Sequence, residues 1–165
     1  ITVQIIRILF LIYFNYNAFL MLSNGMEAKV GTLGSKYEFF HEWKRLAEED
    51  QGNVALETML RGICKKENFL DLFENFILYD HSNGHTAKIL ARNHQYLGVN
   101  EAMKAYAARK LNDGKLGVFW HTQGSGKSYS MVLFAQKVRR KFAGSPTFVI
   151  LTDREELNTQ ISDTV

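Results

Sequence analysis

Residues 117–128 read GVFWHTQGSGKS, and this stretch decides the fold of the chain. It begins with an apolar run, continues through two glycines, and ends on a lysine and a serine. A strand, a glycine-rich turn and a helix, in that order, form the setting of the P-loop, which holds nucleotide phosphates. We therefore predict a strand over Leu116–Trp120 and a helix over Lys127–Phe142.

The residue types in this turn are those that phosphate binding needs. Glycine lets the backbone aim its N–H groups at a ligand without a side chain in the way, and the positive end of the next helix points at the same place. Lys127 can then reach the β- and γ-phosphates as a catalytic residue, while the Ser128 hydroxyl can ligate Mg²⁺. The predicted ATP contacts in this segment are Thr122, Gln123, Gly124, Ser125, Gly126, Lys127 and Ser128.

The second half of the chain alternates strand and helix patterns. Besides the two elements at the turn, we predict a helix over Gln95–Leu111, a strand over Thr147–Leu151 and the start of a helix over Glu155–Ser162. Strands separated by helices of this length pair in parallel through right-handed crossovers. This half is therefore predicted to open an α/β domain.

The first half carries hairpin and helix signals instead. Asn24-Gly25 stands between the short apolar runs Ala18–Leu22 and Met26–Val30, which strongly predicts a β-hairpin. The polar stretch Tyr79–His85 predicts a loop and marks a candidate domain boundary. Between the hairpin and this loop, helices are predicted over Lys36–Glu49, Val54–Ile63 and Glu67–Asn75.

Composition and charge set broad limits on function. Apolar residues make up 46% of the 165 residues and the net charge is only +3, which permits a nucleic-acid partner without requiring one. The single cysteine excludes an internal disulfide or a zinc site built from several thiolates, and it fits a reducing compartment. Residues 1–22 are mostly apolar, but Arg7, Asn15 and Asn17 interrupt them, so we expect core elements and no membrane partner.

Three segments resemble the motor subunits of type I restriction endonucleases, in the order that this family has them: LSNGMEAKVG at 22–31, residues 117–128, and TDREEL at 152–157. His121 departs from the P-loop pattern, which has a glycine there, but many helicase-type motors relax that position. The resemblance implies a fragment of a superfamily-two ATPase that translocates and cleaves DNA in the cytoplasm. The ligands and partners implied are ATP, Mg²⁺, double-stranded DNA, and specificity and methylation subunits.

The same resemblance implies the domain division. Residues 1–34 would be the C-terminal edge of a nuclease domain, residues 35–85 a helical connector, and residues 86–165 the N-terminal part of a RecA-like lobe. The predicted fold class is α/β: the start of a RecA-like P-loop ATPase lobe, preceded by a β-hairpin and a helical connector. The alternatives are another superfamily-two motor, as in type III restriction or DNA repair, or a non-catalytic truncated remnant.

Gln95, 32 residues before Lys127, resembles the glutamine with which superfamily-two motors read adenine. A carboxamide offers a donor and an acceptor side by side, which suits the N6 and N7 edge of the base. From spacing alone, a polar residue at a helix start is the better explanation. Arg92 could stack on the base, and Thr152 or Arg154 could contact a DNA phosphate, because the family places that segment against DNA.

Overall fold

The computed structural model describes residues 14, 16–47, 49–50, 56–81 and 86–151. Within these ranges the chain forms four strands and four α-helices. The strands are β1 (Leu20–Ser23), β2 (Ala28–Gly31), β3 (Ile77–Asp80) and β4 (Ala87–Leu90). The helices are α1 (Leu56–Ile63), α2 (Lys66–Asn75), α3 (Asn93–Ala107) and α4 (Lys127–Lys141). The predicted mixture of helices and strands is confirmed.

The predicted hairpin is present, as β1 and β2. They pair antiparallel, with Leu20 opposite Gly31 and Ser23 opposite Ala28. The Asn24 side-chain oxygen accepts hydrogen bonds from the backbone N–H groups of Met26 (3.0 Å) and Glu27 (2.7 Å). This local bonding is how asparagine favours a turn, and it explains why a short sequence signal was sufficient here.

The predicted helix over Lys36–Glu49 is wrong. The chain makes only a short 3-10 turn at Tyr37–Phe39 and then pairs His41 with Val30 through two backbone hydrogen bonds of 2.8 and 2.9 Å. Beyond this bridge, Trp43 is buried, and a Cβ on Gly62 would lie 2.2 Å from its indole nitrogen. Burial of the indole against α1 therefore overrides the helical spacing of the aromatic residues.

A second hairpin, which was not predicted, includes Tyr79 and Asp80, the first two residues of the predicted loop. β3 and β4 pair antiparallel, with Ile77 opposite Leu90 and Asp80 opposite Ala87. The strands are adjacent in sequence, and residues 82–85 between them lie outside the described residues. The pairing joins the two sides of the predicted boundary at residue 85, although the division into domains stays a prediction.

The predicted strands over Leu116–Trp120 and Thr147–Leu151 do not form: neither segment is in a sheet in the part of the chain that the structure describes. Val118 and Leu151 are 89% and 91% exposed. A strand is stabilised by pairing with its neighbours, and neither segment pairs with a described strand. The predicted parallel pairing is therefore not observed, and both sheets are antiparallel.

The core positions the helices around one aromatic cluster. Phe76, at the end of α2, is fully buried and its ring lies 4.7 Å from that of Tyr96 on α3, which in turn lies 5.4 Å from Trp43. α3 packs along α4. This packing holds the N-terminal ends of the two helices together. No helix in the described ranges is long and apolar enough to span a membrane.

Candidate functional site

The turn before α4 has the backbone geometry that its glycines predicted. Gly124 and Gly126 have φ angles of 75° and 81°, in the left-handed region that glycine adopts without strain. Gly126 caps α4, whose first residue is Lys127. The first N–H groups of an α-helix have no partner within it, so this end of α4 can bind an anion.

Polar side chains complete this end of the helix. The Lys127 ammonium donates to the carbonyl oxygens of His121 (3.0 Å) and Thr122 (3.1 Å) at the start of the turn. The Ser125 hydroxyl is buried, and it has no hydrogen-bond partner among the described residues. A buried donor without an acceptor costs free energy, which a phosphate oxygen would relieve. The turn therefore fits a phosphate group.

A metal ion would fit only together with the phosphates. Ser128, the second residue of α4, supplies a half-buried hydroxyl. In the described part of the chain, no group of three or more His, Cys, Asp or Glu side chains is placed to hold a metal. Mg²⁺ commonly uses few protein ligands and completes its shell with phosphate oxygens and water. Ser128 is therefore compatible with Mg²⁺ that arrives with a nucleotide.

Gln95 lies directly against this turn. Its side chain is 4% exposed, its Oε1 accepts from the backbone N–H of Arg92 (2.8 Å), and its Nε2 donates to the carbonyl of Gly126 (2.9 Å). A Cβ on Gly126 would lie 2.7 Å from that Nε2 atom. The structure thus brings two predicted site segments together. The carboxamide also makes the helix-start bond that the alternative interpretation of Gln95 expected.

His94 is a contact that the sequence did not reveal. Its Nε2 lies 3.0 Å from the Ser125 carbonyl oxygen, so α3 contacts the turn through two consecutive side chains. The sequence feature that could have indicated this contact is the position of His94 next to Gln95, but adjacent residues on a helix usually face different ways. They can both reach the turn because Asn93 is the first residue of α3, where the chain enters the helix.

His121, which replaces the first glycine of the P-loop pattern, is accommodated by α3. Its ring lies 4.9 Å from the His94 ring and 4.4 Å from the Phe119 ring. Gly98 leaves the space for this packing, since a Cβ there would lie 2.6 Å from Phe119. The imidazole therefore fills the gap between the turn and α3.

One cavity borders the turn, and a second lies next to the His94 side chain that contacts it. The first, of about 600 Å³, lies between α3, α4 and the segment 116–121, and Lys127 is on its wall. The other, of about 530 Å³, lies beside the start of α3 and is lined by Arg92, His94, Lys29 and Arg45, among others. Burial lowers the pKa of His41, on the wall of the second cavity, to about 4, so this imidazole is neutral at pH 7.

Thr152 and Arg154, the predicted DNA contacts, lie outside the described residues.

Residues 94–165 match the family model described as SWI2/SNF2 ATPase. The chain is also 37% identical over 160 residues to the type I restriction enzyme HindI endonuclease subunit of Haemophilus influenzae, covering 92% of this chain and 15% of that protein. It is 30% identical over 173 residues to the putative type I restriction enzyme MjaIXP endonuclease subunit of Methanocaldococcus jannaschii, covering 90% of this chain and 16% of that protein. The sequence thus spans less than a fifth of the length of these two relatives.

Proposed function

Because this chain belongs to the family of type I restriction endonuclease subunits, we propose that it supplies the ATP-binding P-loop of a motor that translocates DNA and leads to its cleavage. The observation that carries the proposal is the meeting of two distant segments. Lys127 begins α4 behind two left-handed glycines, and Gln95 donates to the carbonyl of Gly126. The match to a SWI2/SNF2 ATPase model over residues 94–165 supports the same assignment.

In this proposal, each group of the turn has one task. The N–H groups at the start of α4 and the Lys127 ammonium bind the β- and γ-phosphates, which replace the carbonyls that now accept from Lys127. Mg²⁺, when bound with ATP, neutralises phosphate charge, and Ser128 is its protein ligand. The Ser125 hydroxyl gains an acceptor. Thr122 and Gln123 line the turn.

The partners follow from the relatives and remain part of the proposal. The relatives are named as endonuclease subunits of type I restriction enzymes, and the family resemblance implies double-stranded DNA, with specificity and methylation subunits. For this chain we propose the same partners, with Thr152 or Arg154 contacting a DNA phosphate.

The direct test is binding of ATP with Mg²⁺ to the purified chain, measured by titration calorimetry. We expect saturable binding with one ATP per chain. A chain that is folded by circular dichroism and gives no binding heat up to millimolar ATP would contradict the proposal.

Gln95→Ala should weaken the binding of both ATP and GTP, and of ATP more. Both nucleotides lose affinity because the amide no longer bonds to the Gly126 carbonyl beside the phosphates. The amide nitrogen also donates to the Ser125 carbonyl at 3.4 Å. We propose that this weak bond gives way when ATP binds, so that one amide hydrogen and an oxygen lone pair of Gln95 read adenine. Their loss then costs ATP a further 1–3 kcal/mol, roughly, the range for a bidentate contact to a base. The measurement is the pair of dissociation constants for the variant and the wild type.

Gln136→Ala is the matched control, because Gln136 lies on α4 and borders a cavity on another side of the helix. It should leave both dissociation constants unchanged. Equal losses of affinity for ATP and GTP in Gln95→Ala would exclude adenine reading. A loss confined to ATP would mean that the bond from Gln95 to Gly126 does not support phosphate binding.

The 165-residue chain by itself should show no ATP turnover, with or without DNA. Phosphoryl transfer depends on acids and cations that position Mg²⁺ and the attacking water. After Ser128 the acidic residues are Asp153, Glu155, Glu156 and Asp163, so residues 129–151 contain none. An arginine finger, commonly worth roughly 10³–10⁵ in rate, belongs to a second RecA-like lobe in such motors. The measurement is phosphate release, and activity that disappears in Lys127→Ala would contradict the prediction.

A further inference from the structure

A largely buried ion pair, Lys137 with Asp71, joins α4 to α2, and the Asp71 side chain is 21% exposed. The Lys137 side chain is 8% exposed, and its ammonium lies 2.6 Å from each carboxylate oxygen of Asp71 on α2. It also donates to the Asn100 side-chain oxygen on α3 at 2.5 Å. The face of the Phe76 ring lies 4.7 Å from the ammonium. Every hydrogen of this ammonium therefore has an acceptor on a neighbouring helix.

The acceptors are themselves held in place. Asn75 donates to Asp71 at 2.8 Å within α2, and the Asn100 amide lies 3.5 Å from the same carboxylate. Lys137 thus has its position fixed against two helices at once. It lies ten residues after Lys127 on α4, which is about 15 Å along the helix axis.

Stability alone does not account for this pair. Burial lowers the pKa of Lys137, although the Asp71 carboxylate beside it acts in the opposite direction. Taking both charges out of water costs about as much as their attraction returns, so apolar residues of similar volume often replace such a pair without loss of stability. What apolar contacts lack is direction. Hydrogen bonds to acceptors on two helices have defined directions, so they favour one position of α4 along its axis.

We propose that Lys137, Asp71 and Asn100 are positioning residues for the nucleotide-binding turn. They fix the middle of α4, while Gln95 and His94 fix its start. Together these contacts place Lys127 and Ser128 where the phosphates bind. The inference rests on the proposed ATP site, and it makes α2, which lies before the β3–β4 hairpin, part of the support of that site.

The test compares two double variants that each remove one link between α2 and α4. Asp71→Leu with Lys137→Met replaces the buried pair. Glu74→Leu with Lys141→Met replaces an exposed pair on the same two helices, whose ammonium-to-carboxylate distance is also 2.6 Å. Melting temperature without nucleotide and the dissociation constant for ATP with Mg²⁺ are measured on the full chain. The buried double variant should melt within a few degrees of wild type but bind ATP about tenfold more weakly.

The exposed double variant should match wild type in both measurements, because exposed pairs contribute little. Asn100→Leu is the second test, and it decides the matter if the buried double variant does not fold. It keeps the Asp71 pair but removes the acceptor on α3, and it should also weaken ATP binding. Folded variants that bind ATP like wild type would overturn the positioning role alone. A wild-type chain that binds no ATP would overturn the proposed function as well.

Discussion

Lys127→Ala should weaken ATP binding about 100-fold or more, which places it beyond detection in an ordinary titration. The ammonium is exposed at the first residue of α4 and reaches over the start of the turn to the carbonyls of His121 and Thr122. Removing it deletes the cation that, in the proposed site, binds the β- and γ-phosphates. The measurement is titration calorimetry with ATP and Mg²⁺.

Lys141→Ala is the control for this prediction, since it removes an equal charge from the last residue of the same helix. Its partner, Glu74, is half exposed, and ATP affinity should be unchanged. The melting temperature of Lys127→Ala should equal that of the wild type, because the side chain is outside the core. Full ATP affinity in this variant would mean that the turn is not a phosphate site.

Phe76→Ala should destabilise the chain by about 3–5 kcal/mol, the range for removing a fully buried aromatic side chain. The Phe76 side chain is 0% exposed and lies between the Tyr96 ring and the Lys137 ammonium. Its loss leaves a cavity where α2, α3 and α4 meet. The measurement is the free energy of unfolding from urea titration, followed by circular dichroism.

Phe73→Ala gives the matched comparison, because Phe73 belongs to the same helix but is 58% exposed. Its replacement should cost less than about 1 kcal/mol. If both substitutions cost the same, the aromatic cluster around Tyr96 would not be the centre of the core.

Local signals predicted the parts of the fold that local interactions determine. Asn24-Gly25 supplies its own turn bonds, and α4 begins where the two glycines before it allow. The helix prediction for residues 36–49 was wrong because contacts with distant residues determine the structure of that segment. Its aromatic spacing fits a helix, but Trp43 is held by Gly62 and Tyr96, and neither contact can be read from the neighbouring sequence.

The part of the candidate site that lies within one continuous segment could be predicted from local sequence, and the part that depends on distant contacts could not. The glycine-rich turn is contiguous, so the proposed phosphate contacts at residues 122–128 could be predicted from the local sequence. Gln95 was identified only through a family resemblance, and its bond to Gly126 spans 31 residues. The support from Lys137, Asp71 and Asn100 depends on three helices meeting, and no periodicity or spacing in the sequence indicates which polar residues will be buried together.

The β3–β4 hairpin has a consequence for amide hydrogen exchange. Its ladder ties residues 77–80 to residues 87–90, and the Phe76 carbonyl accepts from the Ala91 N–H at 2.9 Å. Exchange protection usually follows cooperative units of this kind rather than sequence boundaries. The amides of α2 and those of α3 should therefore open together. A chain shortened to begin at Thr86 would lose the partner of β4 and the carboxylate of Asp71, so its α4 amides should exchange faster than in the intact chain.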